Sequence, residues 1–246
     1  GSQIDNNNAP LGTGYWNQMP VIGAALGFPP IYPVRDSLGN YTENKLYNLA
    51  PNPVSYKEIE DKTFEKRLMG RAFADIELID DLILKPSFGY DNYTTERNQY
   101  LPNTFKYGAA EGGRATKAFS KATTYLFETT LSYNKTFSED HNFSSVFGYS
   151  YEKYIREGFD AYATNFFTDK FGTNSLQTAS SEPQVSSYKT ERVLASYFGR
   201  VNYNYQSKYL LTLTGRFDGS DRFGANNKWA FFPSAALGWN IAEESF

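Results

Sequence analysis

The stretch that decides the fold reads RVLASYFGRVNYNY (192–205), QSK (206–208) and YLLTLTGRFD (209–218). Val193, Ala195, Tyr197, Val201, Tyr203 and Tyr205 fall on one side of an extended chain, opposite Ser196, Arg200, Asn202 and Asn204. After three polar residues the alternation resumes, with Tyr209, Leu211, Leu213 and Phe217 against Thr212, Thr214, Arg216 and Asp218. Successive residues of a strand point to opposite faces, so period-two patterning on both sides of a tight turn specifies an antiparallel hairpin with one apolar and one polar face.

Working outward, the same pattern predicts seven strands, over 64–78, 82–93, 124–137, 142–155, 192–205, 209–218 and 229–241. The connections alternate in length: short at 79–81, long at 94–123, short at 138–141, long at 156–191, short at 206–208 and medium at 219–228. Tight turns at one end and long polar loops at the other are the habit of transmembrane β-barrels. A strand of about ten residues, rising ~3.3 Å per residue at ~45° tilt, gains roughly 23 Å along the membrane normal, close to their apolar band. Pro86 and Pro233 each lack an amide donor and are expected at a strand end or a bulge.

Composition agrees once the positions of the rings are read. Aromatic residues make up 17% of the chain (Tyr 20, Phe 20, Trp 3). Tyr133, Phe137, Phe143, Tyr203, Tyr205, Tyr209 and Trp239 lie beside the short turns, and Tyr90, Tyr93, Tyr125, Tyr149, Tyr151, Phe217, Trp229 and Phe231 lie at the long-loop ends. Two bands of amphipathic rings suit two membrane–water interfaces. Lys66, Lys135 and Lys153 are the charges on the apolar faces, and all sit near strand ends. The apolar stretch Met19–Val34 is interrupted by Pro20, Pro29, Pro30 and Pro33, so no helical span is expected. Residues 1–62 hold seven prolines and no sustained alternation, and read as an ordered Pro/Gly/Asn-rich loop region on the extracellular side, with barrel hairpins over 63–246.

Little chemistry is available to an enzyme. The chain has 1 His, 0 Cys and a net charge of −3, which disfavours disulfides, Cys-based metal sites, His-dependent catalysis and a nucleic-acid partner. His141 reads as part of a solvated turn with Glu139 and Asp140. Gly108–Arg114 lacks the Gly-Lys-Ser/Thr ending of a phosphate loop. Asp218-Gly219-Ser220-Asp221 lacks the spacing and terminal Glu of a calcium loop, and is read as loop-shaping. Asp80-Asp81 and Glu243-Glu244 read as solvated turn charges. No catalytic residue, metal site or cofactor is therefore expected. The polar faces would bring Arg67, Arg71, Asp75, Glu77, Glu128, Arg200, Arg216 and Asp218 to a lumen, to pair with one another or to meet a ligand. Tyr100, Tyr107, Tyr162, Phe166 and Phe167 are loop aromatics that could stack on a ligand, meet a partner or cap the barrel mouth.

Three segments also carry a family resemblance. Ala24-Ala25-Leu26-Gly27-Phe28-Pro29-Pro30-Ile31-Tyr32-Pro33-Val34, with Asp36 and Gly39-Asn40-Tyr41, resembles a loop AL-x-x-PP-x-x-PV…D-x-x-GNY. Tyr197–Tyr205 with Lys208-Tyr209-Leu210-Leu211 resembles YFGRVNY-x-Y-x-x-KYLL. Asp218, Gly219, Ser220, Arg222, Phe223 and Gly224, then Asn227-Lys228-Trp229 and Phe232-Pro233-Ser234, resemble DGSSRFG…N-[KR]-W…FPS, with Asp221 where a second Ser is usual. These are similar to the SusC/RagA-like TonB-dependent transporters of Bacteroidota outer membranes. The resemblance implies an all-β, antiparallel, up-and-down transmembrane barrel with long extracellular loops, of which this chain would be an internal fragment, a partial barrel. It further implies nutrient import of oligosaccharides or peptides, a SusD-like surface lipoprotein as partner, outer-membrane lipid around the strands, and energy from the TonB system through an N-terminal part not contained here. The residues alone leave open a small self-standing outer-membrane barrel and a soluble β-rich glycan-binding module.

Overall fold

The computed structural model describes residues 2–5, 20–46 and 50–244. Met19 and most of the Asn-rich opening lie outside these. Among the described residues nine strands form one sheet: β1 (Ser2–Asp5), β2 (Glu60–Phe73), β3 (Ile76–Ile79), β4 (Leu82–Leu101), β5 (Arg114–Phe137), β6 (His141–Thr164), β7 (Gln184–Tyr205), β8 (Tyr209–Ser220) and β9 (Trp229–Trp239). Their order is β1-β2-β4-β5-β6-β7-β8-β9, with β3 paired to β4, so neighbours in sequence are neighbours in the sheet. The all-β, antiparallel, up-and-down architecture is as expected, and no described helix is long and apolar enough to cross a membrane. Two short helices, α1 (Val21–Gly27) and α2 (Lys106–Ala109), lie in the connections.

The strands depart from the seven predicted in length and number. β4, β5, β6 and β7 run 20, 24, 24 and 22 residues, well beyond the ~9–11 that span a bilayer. About half of the predicted long loops 94–123 and 156–191 is therefore strand. The predicted strand 64–78 is two strands, parted at Ala74 and Asp75. Pro86 lies on β4 opposite this gap and accepts a hydrogen bond from the Ala74 amide (3.1 Å), but has no N–H to return. Pro233 is not at a strand end as expected; it sits inside β9, paired with Gly215, on the last strand of the described sheet.

The chain divides into two compact units. One comprises residues 1–67, 93–121 and 157–189; the other comprises 68–92, 122–156 and 190–246. The first has a conventional core. Ala24, Tyr56, Ile59, Leu101 and Phe105 form one buried cluster, and Tyr100, Ala115, Ala163 and Phe166 form a second. Burial, with Tyr107 a lesser influence, raises the Tyr56 phenol above its ordinary range. Asp61 is buried there and takes a two-pronged ion pair from Arg97 (2.9 and 2.6 Å), plus a bond from the Gln99 amide (2.8 Å).

The second unit inverts this distribution. Its buried side chains include the polar Ser87, Thr123, Ser145 and Ser196, while Leu68, Phe147, Tyr197, Leu213, Phe231 and Leu237 are exposed. A sheet whose fully buried side chains are small and polar while its large apolar side chains are exposed is built for an apolar surrounding. The β7–β8 turn is tight: the Lys208 amide donates to the Tyr205 carbonyl (2.9 Å), and Gln206 and Ser207 between them are both in the left-handed region.

Candidate functional site

Alternation in the second unit gathers polar side chains from adjacent strands on one face. Arg71 on β2 reaches Ser87 on β4 (3.0 Å) and Glu128 on β5 (3.2 Å). Further along, Asn202 on β7 donates to Ser144 on β6 (3.1 Å) and accepts from Thr212 on β8 (2.9 Å). Arg216 on β8 grips Asp218 through Nε (2.7 and 2.9 Å), donates to the buried Ser196 (2.9 Å), and lies over the Phe198 ring (5.7 Å). Arg200 donates from Nε to Thr214 (3.3 Å), its register partner on β8.

Of the eight polar-face candidates, the structure brings Arg71 to Glu128 and Arg216 to Asp218. Asp75 lies in the gap between β2 and β3 and pairs with Lys85 (3.0 Å). Glu77 stands on β3 opposite Ile83, and Arg67 belongs to the first unit. The sequence set Ser144, Ser196, Asn202, Thr212 and Thr214 on the polar faces without naming them as site candidates, and it did not place Phe198 among them. The glycines at 148 and 199 were the available signal, since a strand glycine marks a place where something approaches closely. A Cβ at Gly148 would lie 2.3 Å from the Phe198 ring.

On the opposite face the aromatic residues form a row in two runs, Tyr90 with Tyr125 and then Phe127 through Tyr149, Tyr197 and Trp229 to Phe217. Ring centroids are 5.5 Å apart for Tyr90–Tyr125, 6.4 Å for Phe127–Tyr149, 5.0 Å for Tyr149–Tyr197, 6.1 Å for Tyr197–Trp229 and 4.8 Å for Phe217–Trp229. Near the short turns, Tyr133 meets Phe143 (6.2 Å) and Tyr205 stacks on Tyr209 (6.3 Å). His141 is not the free turn residue expected. It opens β6, bonds the Tyr203 hydroxyl through Nδ1 (2.6 Å) and packs on Tyr205 (4.8 Å). Just past β9, Glu244 accepts from Tyr209 (2.8 Å), Trp239 (3.1 Å) and Lys208 (3.3 Å), which hold its carboxyl below the usual range.

The motif residues Asp218–Gly224 close this side. Gly219 lies under the Trp229 ring, where a Cβ would come within 2.7 Å. Ser220 accepts from the Arg222 amide (3.3 Å) and Asp221 accepts from the Val193 amide (2.9 Å), fastening β8 to β7. The Gly224 carbonyl receives the Asn227 amide (2.9 Å), while Phe223 is exposed.

In the first unit the loop aromatics divide. Tyr100 and Phe166 are buried against each other (5.9 Å). Tyr100 also donates to Asp169 (2.7 Å), which accepts from the Asn103 backbone and side-chain amides (3.2 Å each). Tyr107 packs on Phe105 (5.4 Å) and Tyr162 lies under the Arg114 guanidinium (4.3 Å). Phe167 is 76% exposed, with Phe171 at 6.3 Å its ring neighbour.

A sheet with an aromatic, apolar face and a hydrogen-bonded polar face, built from tight-turned hairpins, is the wall of a transmembrane β-barrel. The family model described as "TonB dependent receptor-like, beta-barrel" matches residues 3–245, and the chain belongs to that family of outer-membrane β-barrel proteins. It is 40% identical over 227 residues to TonB-dependent receptor P3 of Formosa agariphila, covering 92% of this chain and 23% of that protein. With TonB-dependent receptor SusC of Bacteroides thetaiotaomicron it shares 28% identity over 237 residues, 95% of this chain and 22% of SusC. The fold also matches the solved RagAB peptide transporter, with a TM-score of 0.77 at 23% identity over 94% of this chain and 26% of that one. The chain thus spans about a quarter of the length of the relatives it matches.

Proposed function

We propose that the whole receptor imports oligosaccharides or peptides across the outer membrane, and that this chain supplies part of its barrel wall. One observation carries the reading: within the family, the second unit sets an aromatic, apolar face against a face of paired Arg, Asp, Glu and Asn side chains. The first suits lipid at both interfaces and the second suits a hydrated lumen. In this reading Arg67, Arg71, Asp75, Glu77, Glu128, Arg200, Arg216 and Asp218 line the lumen, and residues 1–62 lie on the extracellular side. Phe167, with Phe171 beside it, is the loop aromatic best placed to touch a ligand or a partner, since Tyr100 and Phe166 are taken up by loop packing. The names of the relatives, SusC and a peptide transporter, support import and a SusD-like lipoprotein partner, with TonB supplying energy through another part of the whole receptor. The reading contains no catalytic step.

The test is uptake by cells with and without the gene for the full receptor, using labelled oligosaccharides and labelled peptides. Loss of uptake of one class on deletion is expected. Unchanged uptake of both, in cells whose outer membrane demonstrably contains the receptor in the undeleted strain, overturns the reading. Protease added to intact cells should cut within residues 20–62 and spare the 206–208 turn; the reverse pattern would invert the assigned topology.

A further inference from the structure

Three arginines on the polar face of the second unit, Arg71, Arg200 and Arg216, are not equivalent. Arg71 faces Glu128 at 3.2 Å, and Arg216 faces Asp218 at 2.7 Å. Among the described residues no carboxylate lies within ion-pair distance of Arg200, whose side chain makes a single hydrogen bond, from Nε to Thr214. Its surroundings offer no hidden counter-charge. Thr214 pairs with Ser234 on β9, Asn202 is engaged by Ser144 and Thr212, and Phe198 lies over Gly148 and under Arg216. Its same-face neighbours on β7 and its register partners on β8 and β9 are thus an amide, a ring and hydroxyls, none of them anionic.

A guanidinium keeps its charge in a protein and has donors only, so it can be satisfied only by acceptors. A cation on the hydrated face of a barrel wall is not costly in itself, but one without a fixed counter-ion in the wall is available to an anion there. The geometry adds the class of partner. With Nε held by Thr214, the two Nη groups remain as a planar fork on an exposed side chain, the shape that receives two oxygens of one carboxylate or sulfate. Arg216 is drawn away by Asp218 and Ser196, so it does not compete for the same group.

We infer that Arg200 is the anchor of an oxyanion-binding site on the barrel wall, taking a carboxylate or sulfate group. The inference rests on the polar face being the lumen. The group can come from an acidic imported ligand or from an acidic side chain elsewhere in the parent polypeptide; the chemistry is the same and the experiment separates the sources.

The experiment is phenylglyoxal labelling of the full-length receptor in outer-membrane vesicles, with the rate at each arginine read by peptide mass spectrometry. Triglutamate and a sulfated disaccharide are the anionic probes, and maltotriose is the neutral control. For a ligand site, Arg200 labels faster than Arg71 and Arg216, and an anionic probe slows it by about tenfold while maltotriose does not, as expected for loss of access through a charge-assisted pair. For an intramolecular carboxylate, Arg200 is unreactive without any probe and becomes reactive once carbodiimide and glycinamide convert carboxylates to amides. Equal labelling with and without every probe, or silence that survives carbodiimide treatment, overturns the inference. The readout needs no transport, so a failed uptake experiment leaves this result separately interpretable.

Discussion

Gly148 and Phe198 share one space on the polar face. A methyl group at 148 would sit 2.3 Å from the Phe198 ring, so Gly148→Ala should cost about 1–3 kcal/mol as the ring is forced aside. In a Phe198→Ala background the same change should cost far less, since neighbours that compete for a volume are not additive. Urea titration of receptor refolded into lipid vesicles measures both, with Gly70→Ala, which meets open space, as the near-neutral control. Asp36 offers a pH test at the same scale. Its carboxylate accepts the Leu38 and Asn40 amides (2.9 Å each), and the Asn40 amide chiefly holds its pKa below the ordinary value. A carboxyl whose folded pKa is depressed stabilises above its ordinary pKa and loses that contribution as pH falls through the depressed one. Protection of the Leu38 and Asn40 amides against hydrogen exchange should therefore hold near pH 5 and vanish at the acid end, while Asp36→Ala should lack it at every pH. The sequence showed the Asp36 turn, since an Asp-x-x-Gly-Asn stretch is readable from its residue types. What it could not show is which ring lies over Gly148, because that depends on the register between β6 and β7.

The long strands depend on loop fastenings that lie outside the alternating pattern. Asp169, in the β6–β7 connection, ties Tyr100 at the end of β4 and Asn103 in the β4–β5 connection. The two connections also share backbone bonds, from Asn165 to Glu111 (2.9 Å) and from Phe166 to Gly112 (2.7 Å). Asp169→Ala leaves the buried Tyr100 hydroxyl without this partner, a cost of about 1–3 kcal/mol. Faster exchange should appear across 102–113 and 165–183 together; acceleration in only one segment would show that Asp169 does not join them. Asp61→Ala should be harsher, at about 3–5 kcal/mol, since it removes the two-pronged carboxylate partner of the partly buried Arg97. The turn-side ends of the strands were legible because apolar and polar residues contrast there. The loop-side ends were not. In Thr94-Thr95-Glu96-Arg97-Asn98-Gln99 both faces are polar, so the period has no contrast to reveal it, although the residues remain strand. The break at Ala74 and Asp75 was likewise concealed, since its cause, Pro86, stands on the neighbouring strand.

For the whole molecule, the decisive quantity is the difference between the two faces of one strand. The candidate site was legible to the extent that alternation sorted residues by face, which placed Arg71 with Glu128 and Arg216 with Asp218. It stopped there, because a sequence does not say which of several like charges finds a partner, and the contrast between Arg200 and Arg216 is a matter of register. Face assignment itself can be tested on β8, where Leu213 and Thr214 are adjacent. Leu213 is 46% exposed and is flanked in the sheet by Val201 and Ala235, with no charged residue beside it. Thr214 is flanked by Arg200 and Ser234. If the Leu213 face meets lipid at mid-depth, Leu213→Arg must carry a guanidinium into hydrocarbon and should destabilise the refolded receptor by about 2–4 kcal/mol. Leu213→Ala on the same face isolates the lost side chain from the added charge. Thr214→Arg puts the same charge on the hydrated face, where its cost is repulsion from Arg200, screened by water and falling as salt is raised. The Leu213→Arg penalty should ignore salt, because no ions reach that face. Equal penalties at the two positions, or a salt-sensitive penalty at 213, would mean that both faces of β8 are in water and that the aromatic row is not a membrane belt.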